Sequence, residues 1–240
     1  MNKVRLLIAS VSLILAPAQA LGQTAAEIVD RYARVSGLDG FEDMAGRSVF
    51  MEINIASQGG DAALTGIICY PLKMRFEMSL AGQDMLMVLN GRKGWLVVDG
   101  VKQPLPARQV EQLARQNDIL ANLRFDKSSF DFTLLEPVAE DGALYDVVRA
   151  VPKFRDTPVK EQVVCFDRET GFIANARNTV EHDGKKIAVE VVYGEIVAFG
   201  PVRIPGRIAT AAEGIAPTEV TIKNVVPDYP VEEWMFAEPE

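Results

Sequence analysis

The stretch MRFEMSLAGQDMLMVLNGRKGW, residues 74–95, decides the fold. Apolar and polar residues alternate over 74–80, and a second apolar run over 85–89 follows the polar residues 81–84, so the segment predicts a β-hairpin with a four-residue loop. In that register Leu80 lies opposite Met85, and directly opposite residues share one face of a sheet. One face then collects the apolar side chains Met74, Phe76, Met78, Leu80, Met85, Met87 and Leu89.

The same two-residue period continues on both sides of this hairpin. It covers 48–57 and 62–70 before it, and most of 130–226 after it, with turn signals such as Asp183-Gly184. About ten or eleven strands are predicted, and short connections make neighbouring strands antiparallel. Because so many strands twist and curl, the predicted fold is mainly β with helices, a long antiparallel meander forming an incomplete (half-open) barrel covered by α-helices.

Two segments have a helical period instead. Thr24 and Glu27 form a capping box that starts one helix, and Gly37 ends it. A second helix is predicted over 106–123, where Pro106 suits the first turn. Its apolar stripe must pack against another part of the protein, so we expect this helix to be a movable lid over the sheet. The stripe contains Val110, Leu113, Leu120 and Leu123, interrupted by Asn117.

The first twenty residues have the pattern of a secretory signal peptide. Lys3 and Arg5 precede an apolar run over 6–16, and Ala18-Gln19-Ala20 supplies small residues for cleavage. The run is too short for a stable membrane-spanning helix. Since no cysteine follows it, we expect cleavage after Ala20 without lipidation of the new terminus. The remaining residues 21–240 have a length that suits one domain.

The composition makes several other functions improbable. The chain carries a net charge of −8, which disfavours nucleic acid and anionic membranes as partners. His182 is the only histidine, so neither a multi-histidine metal site nor a Ser-His-Asp triad is indicated. No cofactor, metal or enzymatic activity is expected. Cys69 and Cys165 lie in apolar strands and are interpreted as two buried thiols, with a disulfide bridge as the alternative.

The methionine-rich face of the hairpin has two explanations. Methionine fills irregular gaps in packed cores, and such a core would need no ligand. Flexible, polarizable methionines also repack around ligands of variable shape, such as acyl chains. The residues alone leave both explanations open.

Several segments, in this order, resemble the periplasmic lipoprotein-carrier (LolA-like) family, also called outer-membrane lipoprotein-sorting proteins. The resemblance is carried by Tyr70-Pro71 followed by MRFEM, by VLNGRKGWLVVD (88–99), by the helical segment after it, by VVCFDRETGFIANA (163–176) and by TIKNVV…MF (221–236). It covers nearly all of the chain after the predicted signal peptide.

The resemblance implies an incomplete antiparallel barrel, closed by helices around an apolar cavity that shields acyl chains. The methionine-rich face would then line that cavity, with Trp95 close to it. Carriers of this family have an arginine just before the proline that corresponds to Pro71; here the position is Tyr70, which becomes the candidate gating residue.

The resulting hypothesis is a soluble, monomeric periplasmic carrier that takes acyl chains of lipoproteins or lipids toward the outer membrane, with a membrane-bound donor or acceptor protein as a further partner. Three alternatives remain open. They are a lipid- or lipoprotein-sensing regulator of the same fold that signals through a membrane partner, an enzyme with a carboxylate site, and a structural β-domain with a filled core.

Overall fold

The structure is a computed structural model that describes residues 23–41, 46–80, 82–116, 119–154, 157–182 and 184–240. The predicted signal peptide and Asn117 lie outside these ranges. Within them the chain forms three α-helices, two short 3₁₀ helices and sixteen strands.

The helices are α1 (Ala25–Ser36), α2 (Ala107–Gln116) and α3 (Ile119–Arg124), and the 3₁₀ helices are Asp39–Phe41 and Glu233–Phe236. The strands of the first half are β1 (Ser48–Ser57), β2 (Gly60–Cys69), β3 (Lys73–Leu80), β4 (Gln83–Asn90), β5 (Lys93–Val98) and β6 (Val101–Pro104). Those of the second half are β7 (Phe130–Leu134), β8 (Val138–Glu140), β9 (Ala143–Pro152), β10 (Val159–Asp167), β11 (Ile173–His182), β12 (Lys185–Tyr193), β13 (Ile196–Phe199), β14 (Val202–Pro205), β15 (Arg207–Ala212) and β16 (Ile215–Pro227).

Fourteen of these strands form one antiparallel sheet in the order β6-β5-β4-β3-β2-β1-β16-β15-β12-β11-β10-β9-β7, with β8 also paired to β9. The last strand, β16, pairs with both β1 and β15 and so joins the two halves of the chain. Among the described residues the edge strands β6 and β7 do not pair with each other. The sheet is therefore open, and the predicted half-open barrel is confirmed.

The methionine-rich hairpin has a shorter loop than the sequence predicted. Met78 lies opposite Met85, and Leu80 lies opposite Gln83. The loop is therefore residues 81–82 instead of 81–84, with Gly82 at a positive φ that glycine adopts readily. Because the pairing moved by two residues, every predicted apolar side chain stays on one face.

Two other predictions need correction. The strand count is higher than ten or eleven, because short strands such as Val101–Pro104 carry no clear alternation. The helix predicted over 106–123 is described as helix over 107–116 and 119–124, and residues 117–118 lie outside the described residues. The loop between β1 and β2 is also two residues long, since Ser57 pairs with Gly60. The first helix is as predicted, with its capping box at Thr24 and a left-handed cap at Gly37.

The core lies on the inner, concave face of the sheet, where the three helices pack. Tyr32 of α1 contacts Phe125, just after α3, and Phe166 of β10, with ring centroids 6.1 and 5.6 Å away. All three rings are buried. This aromatic cluster fixes one end of the helical cover to the second half of the sheet.

The outer face of β3 and β4 is covered by the C-terminal segment. Phe236 of this segment and Val88 of β4 are both buried. Arg75 donates to the carbonyl of Met235, and the Asn90 side chain donates to the carbonyl of Phe236. The inner face of the hairpin is thus the side that remains for a ligand.

The two cysteines differ from the prediction. Cys69 and Cys165 are free thiols and only half-buried. Each follows an inward-facing residue in its strand, Ile68 or Val164, both buried, so each thiol points to the outer face. Burial raises the pKa of the Cys165 thiol, and the Glu140 carboxylate adds to the rise.

Candidate functional site

A cavity of about 940 Å³ separates the helical cover from the inner face of β10, β11, β12 and β15. This volume is at the upper end of the range for ligand pockets, about 300–1,000 Å³. Its apolar lining comprises Leu72, Met74, Ala114, Leu123, Phe125, Phe130, Phe154, Val159, Val191 and Ile208. The uncharged polar lining includes Gln112, Asn122, Ser129, Gln162, Asn178, Tyr193 and Thr210.

Strand register arranges the sheet wall of this cavity in rows. One row pairs Val164 with Ala176 and Ala176 with Val191, and all three are buried. The next row pairs Gln162 with Asn178. Beyond it Val159 pairs with Val180. The wall is therefore apolar, then polar, then apolar again along the strands.

Two tyrosine hydroxyls lie where this wall meets α1. Burial raises the pKa of Tyr193 to about 12. Burial also raises the pKa of Tyr32 well above its ordinary value, and the nearby Tyr193 contributes to the rise. Both phenols therefore stay neutral at physiological pH, and Tyr193, which lines the cavity, offers it a hydroxyl without charge.

Charged groups line the cavity at its rim. Lys160 and Glu181 form an ion pair there at 3.4 Å, and Arg108 and Glu111 of α2 are exposed. Two large apolar side chains share the rim, Leu72 and Phe154, which are 39% and 46% exposed. The rim is solvent-exposed and carries both positive and negative charges, whereas the sheet wall is apolar apart from the row formed by Gln162 and Asn178.

The methionine-rich face is placed differently from the expectation. Of its seven residues only Met74 lines this cavity. Phe76 and Leu89 are buried in the core, and the Phe76 ring covers Gly66, where a Cβ would lie 2.5 Å from it. The other four are half-buried on the open inner face toward the hairpin tip: Met78, Leu80, Met85 and Met87.

Trp95 does not belong to the methionine-rich face. It pairs with Val88, whereas Met87 pairs with Leu96. Trp95 therefore points to the outer face, since consecutive residues alternate across a strand. The expectation that Trp95 lies beside the cavity is therefore wrong. The sequence did not show this, since the residue before Trp95 is a glycine and the apolar–polar alternation is not visible there.

The residues predicted for the lid do face the sheet. Val110, Leu120 and Leu123 are buried and Leu113 is half-buried, but only Leu123 reaches the cavity. Tyr70 is half-buried against the core, and the two residues after it, Pro71 and Leu72, line the rim.

Sequence reasoning missed the cavity residues of the second half of the sheet. Gln162 and Asn178 are polar residues at otherwise apolar positions of β10 and β11, and this pattern in the sequence could have indicated a polar ligand contact. The sequence did not show which residues of β10 and β11 lie opposite each other, because β10 has register shifts near Glu161 and Cys165.

Within the described ranges, no three His, Cys, Asp or Glu side chains come together as a metal site, and none of the helices has the length and apolarity to cross a membrane.

Solved structures share this architecture. The chain superimposes on a LolA superfamily protein from Nitrosomonas europaea with a TM-score of 0.63 at 12% identity, covering 90% of this chain and 99% of that one. The chain has a LolA-like fold. A DUF1329 family protein from Desulfovibrio piger gives a TM-score of 0.58 at 11% identity, with 90% and 98% of the two chains covered.

A putative outer membrane lipoprotein-sorting protein domain from Vibrio parahaemolyticus gives 0.56 at 10% identity, over 87% and 97% of the chains. No family model and no curated protein matches the sequence. The LolA-like fold of this chain is thus established by shape, through structures to which its sequence is only distantly similar.

Proposed function

We propose that this LolA-like protein is a non-enzymatic carrier that binds acyl chains of lipoproteins or lipids in the cavity beneath α2 and α3. The observation that carries the proposal is the cavity of about 940 Å³ between the helices and the sheet. A sheet that served only as a scaffold would fill this space with side chains, because protein interiors are close-packed. The lipoprotein-sorting description of the Vibrio parahaemolyticus domain supports the same class of ligand.

Burial of an acyl chain supplies the binding energy. Each CH₂ group taken out of water contributes about 0.8 kcal/mol, so one chain offsets the cost of displacing a short helix. Phe125, Val191 and Ile208 provide apolar surface within the cavity, and the charged rim is suited to a head group.

The methionine-rich face extends this surface. Met78, Met85 and Met87 lie on the same concave side of the sheet and are only half-buried, so longer or additional chains would continue along them. In this proposal α2 and α3 form the lid, and Tyr70 acts at the gate, since the residues that follow it line the cavity rim.

The cellular setting is part of the proposal. A cleaved signal peptide over residues 1–20 delivers a soluble monomer to the periplasm, where it moves its ligand toward the outer membrane. A membrane-bound donor or acceptor protein then exchanges the ligand with it.

The test is to express the full chain with its own N-terminus and purify the protein from the periplasmic fraction. Organic extraction and native mass spectrometry should reveal a co-purifying lipid or acylated peptide. A protein that is ligand-free, and that also fails to bind a fluorescent fatty acid after purification, contradicts the carrier function. Hydrolysis of a bound lipid ester, lost on changing one carboxylate, would instead identify an enzyme.

A further inference from the structure

Two carboxamides form the polar row in the sheet wall of the cavity. Gln162 of β10 and Asn178 of β11 are direct cross-strand partners, and such partners have Cβ atoms about 4.5–5.5 Å apart. Both side chains line the cavity. On one side their neighbours on this face are the apolar residues Val164 and Ala176. On the other side Val159 pairs with Val180, and Lys160 of β10 also lines the cavity.

The Asn178 side chain has an unsatisfied group. Its Oδ1 is buried and accepts no hydrogen bond from the described residues. A buried acceptor without a partner destabilises the folded state, and native proteins seldom retain one without a reason. Because the χ2 torsion of asparagine is broad and roughly two-fold, rotation about it turns either end of the carboxamide toward the cavity.

We infer that the polar row selects ligands whose acyl chain carries a hydroxyl group part-way along its length. A hydroxyl both donates and accepts, so it satisfies the Asn178 oxygen and the Gln162 amide together. Apolar surface on both sides of the row holds the hydrocarbon on either side of that hydroxyl. This inference rests on the proposed function and narrows its ligand to hydroxylated acyl chains.

A charged group does not suit this position. The charged residues that line the cavity are Arg108, Glu111, Asp126, Lys160 and Glu181. Lys160 is two residues from Gln162 along β10, and Glu181 is three residues from Asn178 along β11, which is about 7 and 10 Å at 3.3 Å per residue. These two charges pair with each other at 3.4 Å. An ionised group at the polar row would therefore be desolvated and would have to compete for a charge that is already paired, whereas a neutral hydroxyl needs only the two carboxamides.

The experiment compares stearic acid with hydroxystearic acids whose hydroxyl is moved stepwise along the chain, each titrated against delipidated full-length protein by calorimetry. At least one hydroxylated isomer should bind about tenfold more tightly than stearic acid, which is about 1.4 kcal/mol. Asn178→Leu should reverse the order, because it removes the polar partner and adds apolar surface. Equal affinities across the series in wild type overturn the inference. A bound water that satisfies Asn178 would give that result.

Asn175→Leu is the matched control. Asn175 lies on the same strand three residues away, and it pairs with the outward-facing Cys165, so its change should leave the preference intact. Circular dichroism and thermal unfolding of both variants show that each is folded. If wild type binds neither stearic acid nor any hydroxylated isomer, the carrier function itself fails; if it binds all of them equally, only the selection for a hydroxyl fails.

Discussion

Val110 of α2 lies directly over Gly94 of β5. A Cβ at Gly94 would come within 2.7 Å of Val110 Cγ2 and within 2.9 Å of Leu89 Cδ2, so only glycine lets the helix approach this closely. The contact anchors α2 on the buried end of the methionine-rich hairpin. Leu89, which is buried in the core, pairs directly with Met74, which lines the cavity.

Gly94→Ala should therefore loosen α2. The added methyl group must displace Val110 or Leu89, and such overpacking costs about 1–3 kcal/mol. We expect a lower free energy of unfolding in urea and faster amide hydrogen exchange in residues 107–116. Gly40→Ala is the control, since a Cβ there meets nothing within 4 Å. Unchanged exchange in α2 would show that this contact does not hold the helix.

Phe236 should matter for stability and not for ligand binding. It is 1% exposed on the outer face of the sheet, away from the cavity. Phe236→Ala should lower the free energy of unfolding by about 3–5 kcal/mol, whereas Trp234→Ala, at a site 62% exposed, should change it by less than about 0.5 kcal/mol. A folded Phe236→Ala protein with lost fatty-acid affinity would contradict this separation of the two faces.

Asp167 should stabilise the turn between β10 and β11 in a pH-dependent way. Its Oδ1 accepts hydrogen bonds from the Thr170 backbone N–H at 2.7 Å and from the Thr170 hydroxyl at 2.8 Å. These bonds, with the backbone bond as the larger cause, lower the pKa of the carboxyl. Its contribution is then complete above the unfolded pKa of about 3.9 and is lost as the pH falls through the lower folded value.

Urea unfolding at neutral pH and at about pH 2.5 tests this, with Asp167→Asn as the comparison. The difference in free energy of unfolding between wild type and variant should shrink in acid, because protonation removes the same charge as the substitution. A difference that is equal or larger in acid would mean that the Asp167 charge does not stabilise the turn.

Local sequence signals determined much of the fold. Alternation located the main strands, and the capping box at Thr24 located α1, because both depend on nearby residues only. The predicted registers of the hairpins were less accurate. A two-residue loop and a four-residue loop put the same apolar residues on one face, and they differ only in which residues pair.

The site was harder to predict than the fold. The methionine-rich hairpin drew attention to β3 and β4, yet the cavity is lined mainly by β10, β11, β12 and β15. Where the helices leave space between themselves and the curved sheet depends on how they pack, and that follows from long-range contacts such as Tyr32 with Phe166. No local pattern encodes those contacts.

Filling the cavity from its sheet wall tests the proposed acyl-chain site directly. Thr210 lines the cavity, and the next residue, Ala211, is exposed on the other face of β15. Fluorescent fatty-acid titration of Thr210→Trp and Ala211→Trp gives a matched pair that adds the same side chain on opposite faces. We predict at least tenfold weaker binding for Thr210→Trp and unchanged binding for Ala211→Trp. Full affinity in a folded Thr210→Trp protein would contradict the proposed site.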